Sequence, residues 1–150
     1  MDKTDVKILK ILQKNGRISM KKLGEKVNLT SPAVSERVKK LEDQNIIKNY
    51  KAVINPEKLN LTLMAYIGVA MRPSQLKTFK EMVKNEPSII ECHHMTGSDS
   101  MTIKVLAQNS KELENILSRI QKVGTTRTSI VLSTPLDDKI IYPRGDFNAL

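Results

Sequence analysis

Polar and basic side chains gather on one arc of a short amphipathic segment near the N-terminus. Val34, Val38 and Leu41 recur at spacings of four and three, which predicts a helix with these residues facing a core. The opposite arc then carries Ser35, Glu36, Lys39 and Lys40, with Ser31 and Arg37 on its flanks. Such side chains can neutralise phosphates or hydrogen-bond to base edges. The arc is therefore a candidate surface for the major groove of DNA.

A second group of candidate contacts precedes this helix. Ser19 is a good N-cap, and Lys21 and Lys22 follow it in the first helical turn, where they suit backbone phosphates. Lysines on a single amphipathic helix are more often only its solvated face. Here a neighbouring helix, a short turn and an excess of positive charge occur together, and the combination favours DNA binding.

Two helices are predicted before the arc. Apolar residues at helical spacing predict the first over residues 4–14, capped by Thr4 or Asp2 and ended near residues 15–16. The second follows Ser19 and stops at Asn28.

The third helix is predicted to begin at Pro32, with Ser31 as its cap. Only residues 28–30 separate it from the second helix, which is the length of the turn in a helix-turn-helix. Leu29 lies in that turn and is expected to fill the angle between the two helices.

A change of period marks the end of this region. Polar and apolar residues alternate over residues 46–55, which predicts a short strand. Residues 55–60 are rich in turn formers. We therefore predict a helix-turn-helix domain with a short linking strand over residues 1–54, a linker over 55–60 and a second domain over 61–150.

The second domain alternates between strands and helices in the order βαββαβ. Strands are predicted over residues 61–71, 89–95, 101–107 and 126–132, with a turn over 97–100. One helix carries Leu76, Phe79, Met82 and Val83, and the other is capped by Ser110 and ended by Gly124. This order predicts a ferredoxin-like α+β fold with both helices on one face of the sheet. A second copy of the sheet can cover the other face.

Positive charge is concentrated at the N-terminal end. The chain has 25 Lys+Arg and 16 Asp+Glu residues, a net charge of +9. Residues 1–60 hold 14 basic and 7 acidic residues, a net charge of +7. Such a field suits DNA or RNA, although a merely soluble basic surface would look similar. With 3% aromatic residues and no Trp, base stacking on an aromatic platform is disfavoured.

Composition also bounds the compartment. A single cysteine, Cys92, cannot form an intramolecular disulfide, which fits a reducing interior. The first residues lack the apolar core of a signal peptide, and the most apolar run, residues 61–71, is too short to span a bilayer. We expect a cytoplasmic protein with no membrane partner.

Glu91, Cys92, His93 and His94 form the only run that suggests a metal or a nucleophile. Consecutive residues of a strand point to opposite faces, and no second Cys/His cluster exists in the sequence. We therefore expect no metal site, no cofactor and an inert cysteine. An enzyme would be supported only by the fold, which hosts some enzymes, and is not expected.

The sequence resembles the Lrp/AsnC family, the feast/famine regulators of bacteria and archaea. The resemblance is carried by residues 5–14, 16–19, 23–24, 27, 29–42 and 46–50, and it extends through essentially the whole chain. It implies a winged-helix-like DNA-binding domain and a βαββαβ regulatory (RAM) domain. It also implies homodimers, often tetramers or octamers of dimers, on double-stranded DNA. An amino acid or related effector is expected between subunits, near the turn joining the second and third strands of the regulatory domain.

That turn departs from the family pattern. The family commonly has Gly-x-x-Asp, whereas this chain has Gly97-Ser98-Asp99-Ser100, so Ser100 stands at the Asp position. Serine is a weaker acceptor for an ammonium group than aspartate. The candidate effector residues are Met95, Thr96, Gly97, Asp99 and Ser100.

The sequence thus predicts a sequence-specific DNA-binding transcription regulator of the Lrp/AsnC type, linked to amino-acid metabolism and modulated by a small molecule. An effector-independent, DNA-organising protein is the alternative. It shares every DNA-binding feature and differs only in its response to ligand.

Overall fold

The computed structural model describes residues 1–143. Its first helix, α1 (Lys3–Lys14), begins at a capping box. Of the two predicted caps, Asp2 takes the role: its side chain accepts from the backbone N–H of Asp5, and the Asp5 side chain accepts from that of Asp2. The helix ends at Asn15, as predicted, and buries Val6, Ile8 and Leu12.

Helix α2 (Met20–Val27) is capped by Ser19 and ends at Asn28, both as predicted. Asn28 adopts the left-handed conformation, with φ of 58°, that commonly ends helices.

Helix α3 (Ser31–Asp43) starts one residue earlier than predicted. Its cap is Thr30, whose hydroxyl accepts from the backbone N–H of Ala33. The prediction of Ser31 as the cap was wrong, because Thr30 has the extended backbone that a cap needs while Ser31 already belongs to the helix.

These three helices share one core. Its buried members come from every helix: Ile8, Leu12, Leu23, Val27, Val34, Val38 and Leu41. The helices belong to a compact unit formed by Met1–Val53 together with the described residues from Leu136 onward. In that unit the Gln13 side chain accepts from the backbone N–H of Ile141 at 2.8 Å and donates to its carbonyl at 3.0 Å.

The expected strand over residues 46–55 is not formed. Among residues 1–143 no segment pairs with it, and a strand requires a hydrogen-bonded neighbour. Val53 and Ile54 are 82% and 60% exposed. The alternating pattern therefore produces no strand within the single chain.

The second unit, Ile54–Pro135, contains one four-stranded antiparallel sheet. Its elements follow the predicted βαββαβ order: β1 (Leu63–Ala70), α4 (Leu76–Asn85), β2 (Ile89–His94), β3 (Met101–Ala107), α5 (Ser110–Ile120) and β4 (Thr125–Ile130). The strand order across the sheet is β2-β3-β1-β4. The predicted ferredoxin-like α+β class is confirmed.

Two boundaries differ from the sequence prediction here. The predicted linker, residues 55–60, contains a short 3₁₀ turn, Pro56–Leu59, and groups with the second unit. Helix α5 is capped by Asn109, whose side chain accepts from the backbone N–H of Glu112 at 3.0 Å, so the prediction of Ser110 as cap was wrong by one residue.

Both helices pack on one face of the sheet. The alternate residues of β1 and β3 that point to this face are fully or nearly buried against Phe79 of α4 and against α5. The strands contribute Ala65, Ile67, Val69, Met101, Ile103, Val105 and Ala107 to this core, and α5 contributes Leu113, Ile116 and Ile120. The opposite face, which we call the open face, has no helix over it within residues 54–135. No helix among the described residues is long and apolar enough to cross a membrane.

Candidate nucleic-acid interface and effector turn

A close contact at Gly24 sets the turn between α2 and α3. A Cβ atom at this position would lie 2.5 Å from the carbonyl oxygen of Leu29, and the Leu29 N–H donates to the Gly24 carbonyl at 2.9 Å. Only glycine lets the two backbones approach this closely. Leu29 packs against the core between the helices, as predicted.

The predicted polar arc of α3 faces outward. Val34, Val38 and Leu41 are at most 5% exposed, so α3 is anchored by the expected face. Glu36, Lys39 and Lys40 are exposed. The structure thus brings the two lysines and one acceptor together on a free helical surface.

The two serines of the arc are less free. Ser35 donates its hydroxyl proton to the Ser31 carbonyl at 2.8 Å, and both residues are half-buried. A Ser35 hydroxyl bound in this way can still accept a hydrogen bond but already uses its donor.

The start of α2 presents the second predicted group. The Ser19 hydroxyl accepts from the backbone N–H of Lys22 at 3.3 Å, while the side chains of Lys21 and Lys22 are exposed. Exposed cations at a helix N-terminus, next to backbone N–H groups, favour a phosphate.

Arg37, on the flank of α3, is engaged by α1. Its Nη1 lies 2.6 Å from Asp2 Oδ2 and 2.8 Å from Asp5 Oδ1. The backbone N–H of Asp5 and the Arg37 guanidinium hold the pKa of Asp2 below its ordinary value. Asp2 and Asp5 in turn raise the pKa of Arg37. Sequence reasoning missed both carboxylates as part of this surface, although the D-x-x-D spacing of the capping box marks them.

The predicted effector residues form one tight turn between β2 and β3. The Met95 N–H donates to the Ser100 carbonyl at 3.0 Å and closes the turn. Gly97 has φ of 122°, which side-chain-bearing residues rarely adopt, and Met95 and Thr96 are exposed. The five predicted residues are therefore together in space.

The two polar residues of the turn point in different directions. The Ser100 hydroxyl donates to the Val69 carbonyl of β1 at 3.2 Å. The Asp99 carboxylate instead reaches Arg127 of β4, whose Nη1 lies 3.2 Å from its Oδ2 and 3.1 Å from the Ser98 hydroxyl. Arg127 was not predicted. The sequence offered only an indirect signal, Gly68, because a glycine inside a strand often marks the close approach of another group, here the Asp99 carboxylate that Arg127 contacts.

The Cys92 region shows no reactive arrangement. Cys92 is half-buried on the helix side of the sheet, and burial raises the pKa of its thiol, with Lys80 opposing this only in part. His93 lies instead next to Glu91, with Nε2 and Oε2 3.4 Å apart. Among residues 1–143 no group of three or more His, Cys, Asp or Glu side chains can hold a metal.

Comparisons with known proteins match both units. A family model described as winged helix-turn-helix DNA-binding matches residues 1–48, and the Lrp/AsnC ligand binding domain matches residues 64–141. An uncharacterised HTH-type transcriptional regulator of Bacillus subtilis, YezC, is 40% identical over 134 residues, which cover 89% of this chain and 95% of the relative. The leucine-responsive regulatory protein of Haemophilus influenzae is 34% identical, with 88% and 84% covered.

A solved structure agrees with these relatives. A transcriptional regulator of Neisseria meningitidis, crystallised as a complex with L-Met, superposes with a TM-score of 0.88 at 29% identity, covering 94% of this chain and 96% of that one. Together the matches show a transcription regulator rather than an enzyme. The chain belongs to the Lrp/AsnC family of DNA-binding transcription regulators.

Proposed function

We propose that the chain is a sequence-specific regulator that binds double-stranded DNA as a homodimer or a higher oligomer, through the exposed arc of α3 and the start of α2. The observation that carries this proposal is the placement of Glu36, Lys39 and Lys40 on one free face of a helix whose other face is buried. Lysines supply phosphate contacts, and Glu36 can accept from a cytosine amino group.

The open face of the sheet supports dimer formation. Met64 and Leu106 are paired neighbours on that face and are half-buried, while Tyr66 is 40% exposed. Apolar residues on a sheet face are normally covered by another layer. A second copy of the chain packed on this face would cover these residues. Sedimentation velocity at several protein concentrations can measure whether the chain is a dimer.

The names of two similar proteins suggest a class of effector. One relative is named as leucine-responsive, and one similar structure holds L-Met. For this chain we propose a link to amino-acid metabolism and a small-molecule site at the turn formed by Met95, Thr96, Gly97, Asp99 and Ser100. Because Ser100 is an uncharged acceptor and the Asp99 carboxylate is already paired with Arg127, an amino acid would find a weak ammonium partner here.

Binding to the chain's own promoter region is the direct test of the DNA proposal. A dimer with two α3 helices should read two half-sites separated by about one helical turn, or a multiple of it. Fluorescence anisotropy with a promoter duplex and with a scrambled duplex of equal length should show tighter binding to the promoter at moderate salt. Equal affinities for the two duplexes would exclude sequence specificity.

A further inference from the structure

Arg37 joins the surface of α3 to the beginning of α1. The Nη1 atom contacts one oxygen of Asp2 and one of Asp5, at 2.6 Å and 2.8 Å. The Arg37 side chain is 35% exposed and that of Asp5 is 14% exposed. Charge-assisted hydrogen bonds of this length are among the stronger ones in proteins.

The same two carboxylates form the N-cap of α1. Asp2 uses Oδ1 for the backbone N–H of Asp5 at 2.9 Å, and Asp5 uses Oδ2 for that of Asp2 at 2.8 Å. Each carboxylate therefore gives one oxygen to the cap of α1 and the other to Arg37. Helix capping and the α1 to α3 contact are one network.

We infer that Arg37 is a positioning residue, which fixes α3 against the N-terminus of α1 so that the lysines of α3 meet DNA, and that it does not itself bind a phosphate. The inference rests on the proposed DNA binding. The physical reason is the local charge. Two carboxylates lie within 3 Å of the Arg37 guanidinium, so a phosphate that contacted Arg37 would also approach these two negative groups. Like charges at such distances repel.

The variant Asp5→Asn distinguishes a positioning role of Arg37 from a direct phosphate contact, because the two roles predict opposite changes in DNA affinity. Removing a negative charge from a DNA-binding surface ordinarily strengthens binding, and would also free Arg37 for a phosphate. A positioning role predicts the opposite, because the amide weakens the hold on Arg37. Asparagine keeps an oxygen for the backbone N–H of Asp2, so the helix cap is retained.

The experiment measures promoter-duplex affinity over a range of salt concentrations. We expect Asp5→Asn and Arg37→Gln each to weaken binding by about two- to fivefold, as for a partly exposed charge pair, with an unchanged salt slope. Lys39→Ala is the reference for a phosphate contact and should make the negative salt slope shallower by about 0.9. Asp43→Asn is the matched control, since exposed Asp43 on α3 has no ion pair among the described residues, and it should bind at least as well as the wild type.

A double-mutant cycle completes the test. If Arg37 acts through Asp5, Asp5→Asn combined with Arg37→Gln should bind no worse than Arg37→Gln alone. Arg37→Lys should recover part of the loss, because one ammonium group can still contact a carboxylate. Tighter binding by Asp5→Asn, additive losses in the double variant, or a shallower salt slope in Arg37→Gln would each overturn the inference.

The same cycle read by thermal unfolding tests the network without DNA. Non-additive losses of melting temperature in the Asp5→Asn and Arg37→Gln variants would support the contact, and additive losses would contradict it. A wild type that unfolds with this coupling but binds no duplex would instead remove the proposed DNA-binding function. The two failures are therefore distinguishable.

Discussion

The carboxylate of Asp99 occupies the space that a side chain at Gly68 would need. A Cβ atom at residue 68 would lie 2.3 Å from Asp99 Oδ2 and 3.2 Å from Asp99 Cβ. Gly68 belongs to β1, and the same carboxylate contacts Arg127 of β4. One aspartate of the turn between β2 and β3 thus contacts both β1 and β4 on the open face.

Gly68→Ala should displace Asp99 and destabilise the second unit, Ile54–Pro135. Forcing a methyl group into occupied space costs about 1–3 kcal/mol in a packed core, and here we expect the lower end, because the end of the Asp99 side chain can move aside by giving up its contact with Arg127. Urea unfolding followed by circular dichroism measures the loss. In an Asp99→Gly background the nearest atoms are gone, so the cost of Gly68→Ala should fall. An equal cost in both backgrounds would show that Asp99 is not the obstacle.

Lys39→Ala and Lys40→Ala should each weaken DNA binding while leaving the fold intact, because both side chains are exposed on the polar arc of α3. Loss of a phosphate contact makes the negative slope of log affinity against log salt shallower by about 0.9. The measurement is anisotropy at several salt concentrations, with thermal melts to confirm folding. An unchanged slope in either variant would remove that lysine from the phosphate contacts.

Val38→Asp should unfold the helix-turn-helix unit. Val38 is 5% exposed, in the core shared by α1, α2 and α3. An unpaired carboxylate in a small core has no compensating partner and belongs to the most destabilising kinds of substitution. Circular dichroism should show the loss of helix, while Glu25→Asp, on the exposed side of α2, should leave the spectrum unchanged. A native-like melt of Val38→Asp would contradict this packing.

The order of elements could be predicted because it depends on local periodicity. The strand β3 was predicted with its observed bounds, and the buried face of α3 was predicted residue by residue. The N-cap residues of helices were harder to predict. Thr30 precedes Ser31 and Asn109 precedes Ser110, so each helix start has two adjacent residues whose side chains can cap it. Only the backbone angles decide which of the two is the cap.

The polar contacts of the site could not be predicted, because they join distant parts of the chain. Arg37 lies 35 residues from Asp2, and Arg127 lies 28 residues from Asp99. Both pairs depend on how elements pack and on which strands are neighbours. The prediction of a strand over residues 46–55 was wrong for a related reason. The residues do alternate between polar and apolar, but a strand also needs a hydrogen-bonded neighbour.

Glu86 should contribute stability that is lost in acid. Burial alone would raise the pKa of Glu86, but the hydrogen bond from Arg119 and the backbone N–H of Ser88 outweigh it and leave the pKa below the ordinary 4.5. A carboxyl whose pKa is lower in the folded state stabilises the fold above 4.5, and the effect fades as the pH falls through the folded value.

The pH dependence is measured by comparing the wild type with Glu86→Gln. The difference in unfolding free energy should be largest at neutral pH, at most about 1 kcal/mol because Arg119 is partly exposed, and it should vanish below the folded pKa. Glu81→Gln, at an exposed position of α4, is the matched control and should differ little from the wild type at any pH. A difference between wild type and Glu86→Gln that is independent of pH would exclude this linkage.

The last prediction concerns Ser100, which stands where the family commonly has aspartate. Its hydroxyl donates to the Val69 carbonyl, and the neighbouring Asp99 is held by Arg127. The only carboxylate that residues 95–100 carry, that of Asp99, is therefore already paired with a cation through one of its oxygens. Loss of a charge-assisted hydrogen bond to its ammonium group costs about 1.5–3 kcal/mol, which weakens binding roughly ten- to a hundredfold.

Calorimetric titration with leucine and methionine should accordingly show weak or undetectable binding to the wild type, and Ser100→Asp should gain affinity for at least one of them. Ser98→Asp is the matched control: it adds the same charge to the same turn at an exposed residue and should bring no gain. Micromolar binding of either amino acid to the wild type would show that Asp99 or another group already supplies the ammonium partner. Ser100→Asp would then add nothing, and the departure of this turn from the family pattern would have no consequence for the effector.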